Sequence, residues 1–165
     1  EPYCLNLGYR NITISTSGIV PGIEKLAKEN IPITLSISLH APNNELRTSL
    51  MPINKRYPLE EVIKAAVNYA DITKRRVTYE YILIDKYNDN IAEAQELCHL
   101  LKNQLANVNL IPINPVKERN FNRPSLSRIK TFAKYLNDHH ITATIRQEMG
   151  TDINAACGQL RNKHL

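Results

Sequence analysis

Strand-like and helix-like patterns alternate along the whole chain, and that alternation limits the fold more than any other feature. "NITIS" (11–15), "ITLSISLH" (33–40), "VTYEYILI" (77–84), "NVNLI" (107–111) and "TATIR" (142–146) are rich in β-branched residues and alternate apolar with polar. Between them, apolar residues recur at helical spacing. Leu59, Val62, Ile63, Ala66 and Tyr69 form one stripe; Ile91, Ala94, Leu97, Cys98, Leu101 and Leu105 form a second; Leu126, Ile129, Phe132, Ala133 and Leu136 form a third. A shorter helix is expected over 21–28. Pro58 suits a first helical turn and Ser125 an N-cap. Asn44 through Tyr57 reads as a long polar connection. A strand–helix–strand series calls for parallel strands joined by right-handed crossovers.

The strands have two unlike faces. Ile33, Leu35, Ile37 and Leu39 share one face; Thr34, Ser36, Ser38 and His40 share the other. Ile12 and Ile14 likewise oppose Thr13 and Ser15. Val77, Tyr79, Tyr81 and Leu83 oppose Thr78 and Glu80, with Ile82 and Ile84 returning that face to apolar. Helices must cover the apolar face. An antiparallel sheet can turn its polar face to water, but helical connections weigh against one. A closed eight-stranded barrel fills its interior with branched apolar side chains. The expected fold is therefore α/β: a partial, open βα barrel whose polar face lines a wet cavity able to hold a polar ligand.

A chain of 165 residues suits one domain. It starts at Glu1 rather than Met, as expected of a piece of a longer protein. No apolar run is long enough to span a membrane, and no secretory signal is visible. Cys4, Cys98 and Cys157 are odd in number and far apart, which argues for a reducing, cytoplasmic setting and against a disulfide framework. They also lack the close spacing of a zinc or iron–sulfur site, so no metal ligand is assigned. The net charge of +5 permits nucleic-acid binding without demanding it.

In parallel βα folds, ligands gather where the carboxyl ends of strands converge. "STSG" (15–18), "SLHAPN" (38–43), "DKYND" (85–89) and "PINP" (112–115) occupy those ends. Ser15, Ser38, His40 and Asn114 can converge there on a ligand carrying both donors and acceptors. Plain structural roles are open as well: loop hydrogen bonds for Ser15 and Ser17, a loop carbonyl for His40, a turn for Asn114 before Pro115. "ITKRR" (72–76) reads as a solvated helix end. "PVKERNFNRP" (115–124), Arg47, Lys55 and Arg56 each fit either RNA phosphate contact or a surface loop. Cys98 lies on an apolar helix face and reads as core packing.

Cys157 differs. It stands in "DINAACGQLR" (152–161), where Ala155, Ala156 and Gly158 leave room for a ligand to approach. A loop of small and polar residues fits a reachable nucleophile better than a buried hydrophobe.

"ITISTSGIVPGIEKLA", "LSISLHAPNNELRTSLMPINKRYPLEEV", "VTYEYILIDKYND", "VNLIPINPV" and "GTDINAACGQLR" follow one another in this order. Together they resemble the radical S-adenosylmethionine RNA methyltransferases of the RlmN/Cfr family across nearly the whole chain. "STSG" and "SLHAPN" resemble the RlmN branch, which acts at adenine C2, more than the Cfr branch, which acts at C8. The resemblance implies that Ser15, the Ser38-Leu39-His40 segment and Asn114 bind S-adenosylmethionine. It implies that Cys157 is S-methylated and passes a carbon to adenine in ribosomal RNA or transfer RNA, after a radical made at a [4Fe–4S] cluster activates the methyl group. A cluster-reducing electron donor and cytoplasmic location are implied as well. The adenine must be unstacked to be reached.

The family's Cys-x3-Cys-x2-Cys cluster motif, its upstream resolving cysteine and its glycine–glutamate cofactor segment are absent from this sequence. The chain is accordingly expected to be a carboxy-terminal part of a radical SAM core domain (residues 1–165), inert alone, with an exposed sheet edge that favours dimerisation. Two other readings stay open: a non-catalytic RNA-binding domain derived from the same barrel, and a different βα-barrel enzyme using His40 and Glu80 as acid and base.

Overall fold

The computed structural model describes residues 8–114 and 121–146. Five strands appear: β1 (Thr13–Thr16), β2 (Thr34–Ser38), β3 (Val77–Leu83), β4 (Ala106–Pro112) and β5 (Ala143–Ile145). Five α-helices accompany them: α1 (Val20–Lys28), α2 (Asn44–Leu50), α3 (Leu59–Thr73), α4 (Ile91–Leu101) and α5 (Leu126–Asp138). All four strand pairings are parallel, and the spatial order β1-β2-β3-β4-β5 equals the chain order. A doubly wound sheet would reverse direction at a switch point. Here every crossover steps the same way, which lays all the helices on one face. That is the wall of a βα barrel, and it is open: β1 and β5 each pair on one side only among the described residues.

The core lies between this sheet and its helices. Leu35, Ile37, Val77, Tyr79, Tyr81, Leu83, Val108 and Leu110 meet Ile23, Ala27, Val62, Ala66, Tyr69, Leu97, Phe132 and Leu136. β3 shows the strict alternation expected of two unlike faces, with every second residue buried. α3 buries Val62, Ala65, Ala66, Tyr69, Ala70 and Thr73 at spacings of one, three and four, and ends where Lys74 adopts a left-handed conformation. The Ser125 hydroxyl caps α5 by accepting from Arg128 N–H, and Asn90 with Glu93 makes a capping box on α4.

Two sequence expectations are corrected. Residues 44–57 are not a plain connection, because the Asn43 side chain accepts from Leu46 N–H and starts α2, and a 3-10 turn follows at Pro52–Lys55. Leu105 does not extend the α4 stripe; the helix ends at Leu101 and Leu105 is exposed.

Candidate functional site

Arg47, on α2, organises the carboxyl ends of β1 and β2. It was read from sequence as a surface or RNA-contacting residue, yet it is fully buried. Its Nη2 donates to the carbonyls of Ser17 (2.8 Å) and Ser38 (3.2 Å), and its Nε to that of Leu39 (3.2 Å). Nη1 donates to Asn54 Oδ1 (2.7 Å) and to the Tyr57 carbonyl (3.4 Å). All these acceptors are neutral. Burial pulls the guanidinium pKa below its ordinary value. Gly18 completes the junction. Its φ of +96° suits glycine, and a Cβ there would stand 2.9 Å from Arg47 Nη2 and 3.0 Å from Val62. Thr16 Oγ1 accepts from the N–H groups of Gly18 and Ile19, so Thr16, rather than Ser15 or Ser17, satisfies this loop.

His40 stands just past β2 with φ +63°. Its Nδ1 accepts from Ile82 N–H at 3.1 Å, which places the proton of the neutral ring on Nε2. Its pKa is lowered to about 4, first by burial and second by the Arg47 charge, against a smaller opposing hydrogen bond to the Glu80 main chain. His40 is therefore a fixed, uncharged donor near neutral pH. Asn88, fully buried, holds the His40 and Ile82 carbonyls at 3.0 and 2.6 Å and fixes the loop between them.

The helix-free face of the sheet is polar in register. Ser15 lies opposite Ser36, Ser36 opposite Thr78, Ser38 opposite Glu80, Glu80 opposite Asn109, and Asn109 opposite Thr144. The two Glu80 oxygens are held from either side, by Ser36 Oγ and Asn109 Nδ2, each at 2.9 Å. Thr78 donates to Asn107 at 3.1 Å.

Of the residues singled out from sequence, Ser38 and His40 come together at the carboxyl end of β2. Ser15 is one strand away, two register positions below Ser38. Asn114 lies two residues beyond the end of β4. The side chains of Ser15, Ser38 and Asn114 make no hydrogen bond to another described residue, which leaves their polar groups available. Leu39 is different: its side chain is fully buried in the core, its N–H bonds the Glu80 carbonyl and its carbonyl takes Arg47. Cys157 and Cys4 lie outside the described residues. Cys98 is half-buried against the core, and burial pushes its thiol pKa up. His40 and Glu80 share no side-chain hydrogen bond: His40 Nδ1 takes Ile82 N–H, and the Glu80 oxygens take Ser36 and Asn109. Sequence reasoning missed Asn109, which the alternation of "NVNLI" could have placed on the polar face. No local signal marks Arg47 as buried. A hollow of about 230 Å³ beside Lys102, Gln104, His139 and His140 sits at the opposite, amino-terminal end of β4.

The comparisons agree with this architecture. A 57% identical relative, a "Probable dual-specificity RNA methyltransferase RlmN" of Symbiobacterium thermophilum, matches 99% of this chain and 44% of its own length. A protein of the same description from Caldanaerobacter subterraneus is 55% identical over all of this chain and 48% of its own. This chain thus spans under half the length of these relatives. The crystal structure of a radical SAM methyltransferase from Sphaerobacter thermophilus superposes with TM-score 0.89 at 52% identity, covering 93% of this chain and 45% of that one. A domain of a pyruvate-formate lyase-activating enzyme from Bacteroides vulgatus shares the fold at 15% identity and TM-score 0.64, over 82% and 80% of the two chains. Residues 2–98 match the sequence pattern of the radical SAM superfamily, and with an open parallel βα wall and a polar inner face beneath that match, the chain belongs to this superfamily.

Proposed function

We propose that this chain is the carboxy-terminal part of the core domain of a cytoplasmic RNA methyltransferase. The whole protein would methylate adenine C2 in ribosomal RNA and transfer RNA. The observation that carries the proposal is 57% identity over 99% of the chain to a relative described as an RNA methyltransferase. The net charge of +5 is compatible with an RNA partner.

The polar face fits S-adenosylmethionine chemically. Ser15 and Ser38 offer hydroxyls that donate and accept, Asn114 offers an amide, and His40 offers an Nε2–H that stays neutral. When bound, this cofactor supplies the one-carbon unit. The chain's own residues orient it: Arg47 and Gly18 hold the loop carbonyls at the ends of β1 and β2, so Ser15, Ser38 and His40 present their polar groups without rearranging. Cys157 is the residue proposed to accept the methyl group on its sulfur and deliver the carbon to the base. An iron–sulfur cluster does not fit the described residues, among which no three cysteine, histidine or acidic side chains are placed to hold a metal ion. The cluster and its electron donor belong to the proposal only as parts held elsewhere, and no step is derived through them. The edges of β1 and β5, unpaired among the described residues, are where further barrel strands, or a second copy, would pair.

The test uses the whole protein carrying this chain, incubated anaerobically with S-adenosylmethionine and RNA. Mass spectrometry is expected to find a methyl group on Cys157 and 2-methyladenine in the RNA, with the RNA product abolished by Cys157→Ala. An RNA product that survives this substitution would overturn the role of Cys157.

A further inference from the structure

Glu80 is the sole charged side chain among the strand residues of the polar face; Thr13, Ser15, Thr34, Ser36, Ser38, Thr78, Asn107, Asn109 and Thr144 are neutral. Glu80 is the acidic strand residue of this face, and the Arg75 guanidinium reaches Thr34 Oγ1 (3.4 Å) at the amino-terminal end of β2. Glu80 lies on the central strand of five, directly beside Ser38 in register. Its two oxygens are each fixed by one neutral donor, Ser36 Oγ and Asn109 Nδ2, both at 2.9 Å. No described lysine, arginine or histidine makes an ion pair with it.

A carboxylate has room for about four hydrogen bonds, and two are used. The two anchors come from the flanking strands and hold the group in place, so its remaining acceptor capacity has a set direction at no cost in side-chain order. A fixed carboxylate without a counter-ion gains attraction when a cationic ligand arrives, because attraction between opposite charges strengthens as water is displaced. A purely structural role is a weaker explanation, since a neutral glutamine would bridge Ser36 and Asn109 without the charge.

From this juxtaposition we propose that Glu80 is a ligand-selecting residue, whose carboxylate, held between Ser36 and Asn109 beside Ser38, recognises the sulfonium charge of the bound cofactor. The proposal rests on the reading of this face as an S-adenosylmethionine site. It assigns discrimination between the methylated, cationic cofactor and its demethylated, neutral-sulfur product to one residue. Spent S-adenosylhomocysteine, lacking the positive sulfur, would be held less tightly and would leave.

The experiment measures binding of S-adenosylmethionine and S-adenosylhomocysteine to the intact protein by calorimetry. The two differ at sulfur by one methyl group and one charge. The native protein is expected to prefer S-adenosylmethionine by about tenfold, and Glu80→Gln is expected to remove most of that preference while changing S-adenosylhomocysteine binding less than about twofold. Equal affinities in the native protein overturn the proposal without recourse to any variant. An equal loss of both ligands in Glu80→Gln also overturns it, since that pattern marks a structural role. Asn109→Ser, which frees one carboxylate oxygen but keeps the charge, is expected to lower the preference partially. If the native protein binds neither ligand, the cofactor reading itself fails, and this inference fails with it.

Discussion

Replacing Arg47 with methionine tests whether the site's frame depends on one buried side chain. The substitution keeps a long apolar stem and removes the guanidinium. Five acceptors lose their donor: the carbonyls of Ser17, Ser38, Leu39 and Tyr57, and Asn54 Oδ1. The bonds to Leu39 and Asn54 are buried, and each orphaned acceptor there costs about 1–3 kcal/mol. The other three are part-buried and can recruit water. Removing a desolvated cation returns some free energy, so the net loss is set at about 3 kcal/mol. With a urea m-value of about 2 kcal/mol/M, the unfolding midpoint should fall by about 1.5 M without a change in m. Arg47→Lys keeps the charge, but an ammonium has three donors and no fork, and should recover at most about half of the loss. Urea unfolding followed by circular dichroism reads both variants. A midpoint shift below about 0.5 M for Arg47→Met would show that water replaces the guanidinium and that the frame does not need it.

Two further outcomes are expected. Gly18→Ala should destabilise by about 2 kcal/mol or more, because the new Cβ must tolerate both φ +96° and contact with Arg47 and Val62; thermal unfolding checks this, and a loss under about 0.5 kcal/mol would contradict it. For His40 the folded pKa, about 4, lies below the unfolded value of 6.5, so below pH 6.5 the unfolded state binds the proton first. Its contribution to stability is unaffected above about pH 6.5 and falls as pH drops towards 4, by up to about 3 kcal/mol. Urea unfolding across that range should show the slope, and His40→Asn should flatten it; an unchanged slope would refute the assignment.

Much of the polar face was legible in the sequence. The two-residue alternation put Ser15, Ser38 and Glu80 on one face because side chains in a strand must alternate. His40 was legible as a position but not as a state: its fixed tautomer and depressed pKa come from Ile82 N–H and Arg47, which are 42 and seven residues away in sequence. Leu39 entered through the likeness of the Ser38-Leu39-His40 segment to the family; the alternation sends its side chain into the core and leaves only its main chain on that side.

By itself, the sequence determined the layers, the parallel wall and the polar inner face, because these follow from periodicity and connection rules that act over a few residues. It also carried the family likeness, in blocks of ordered residues. Tertiary structure alone decided that Arg47 is a buried tie rather than a surface charge, and that Glu80 stands fixed between Ser36 and Asn109. Those outcomes depend on which strands become neighbours and on what remains of water once they do, and no local pattern encodes either.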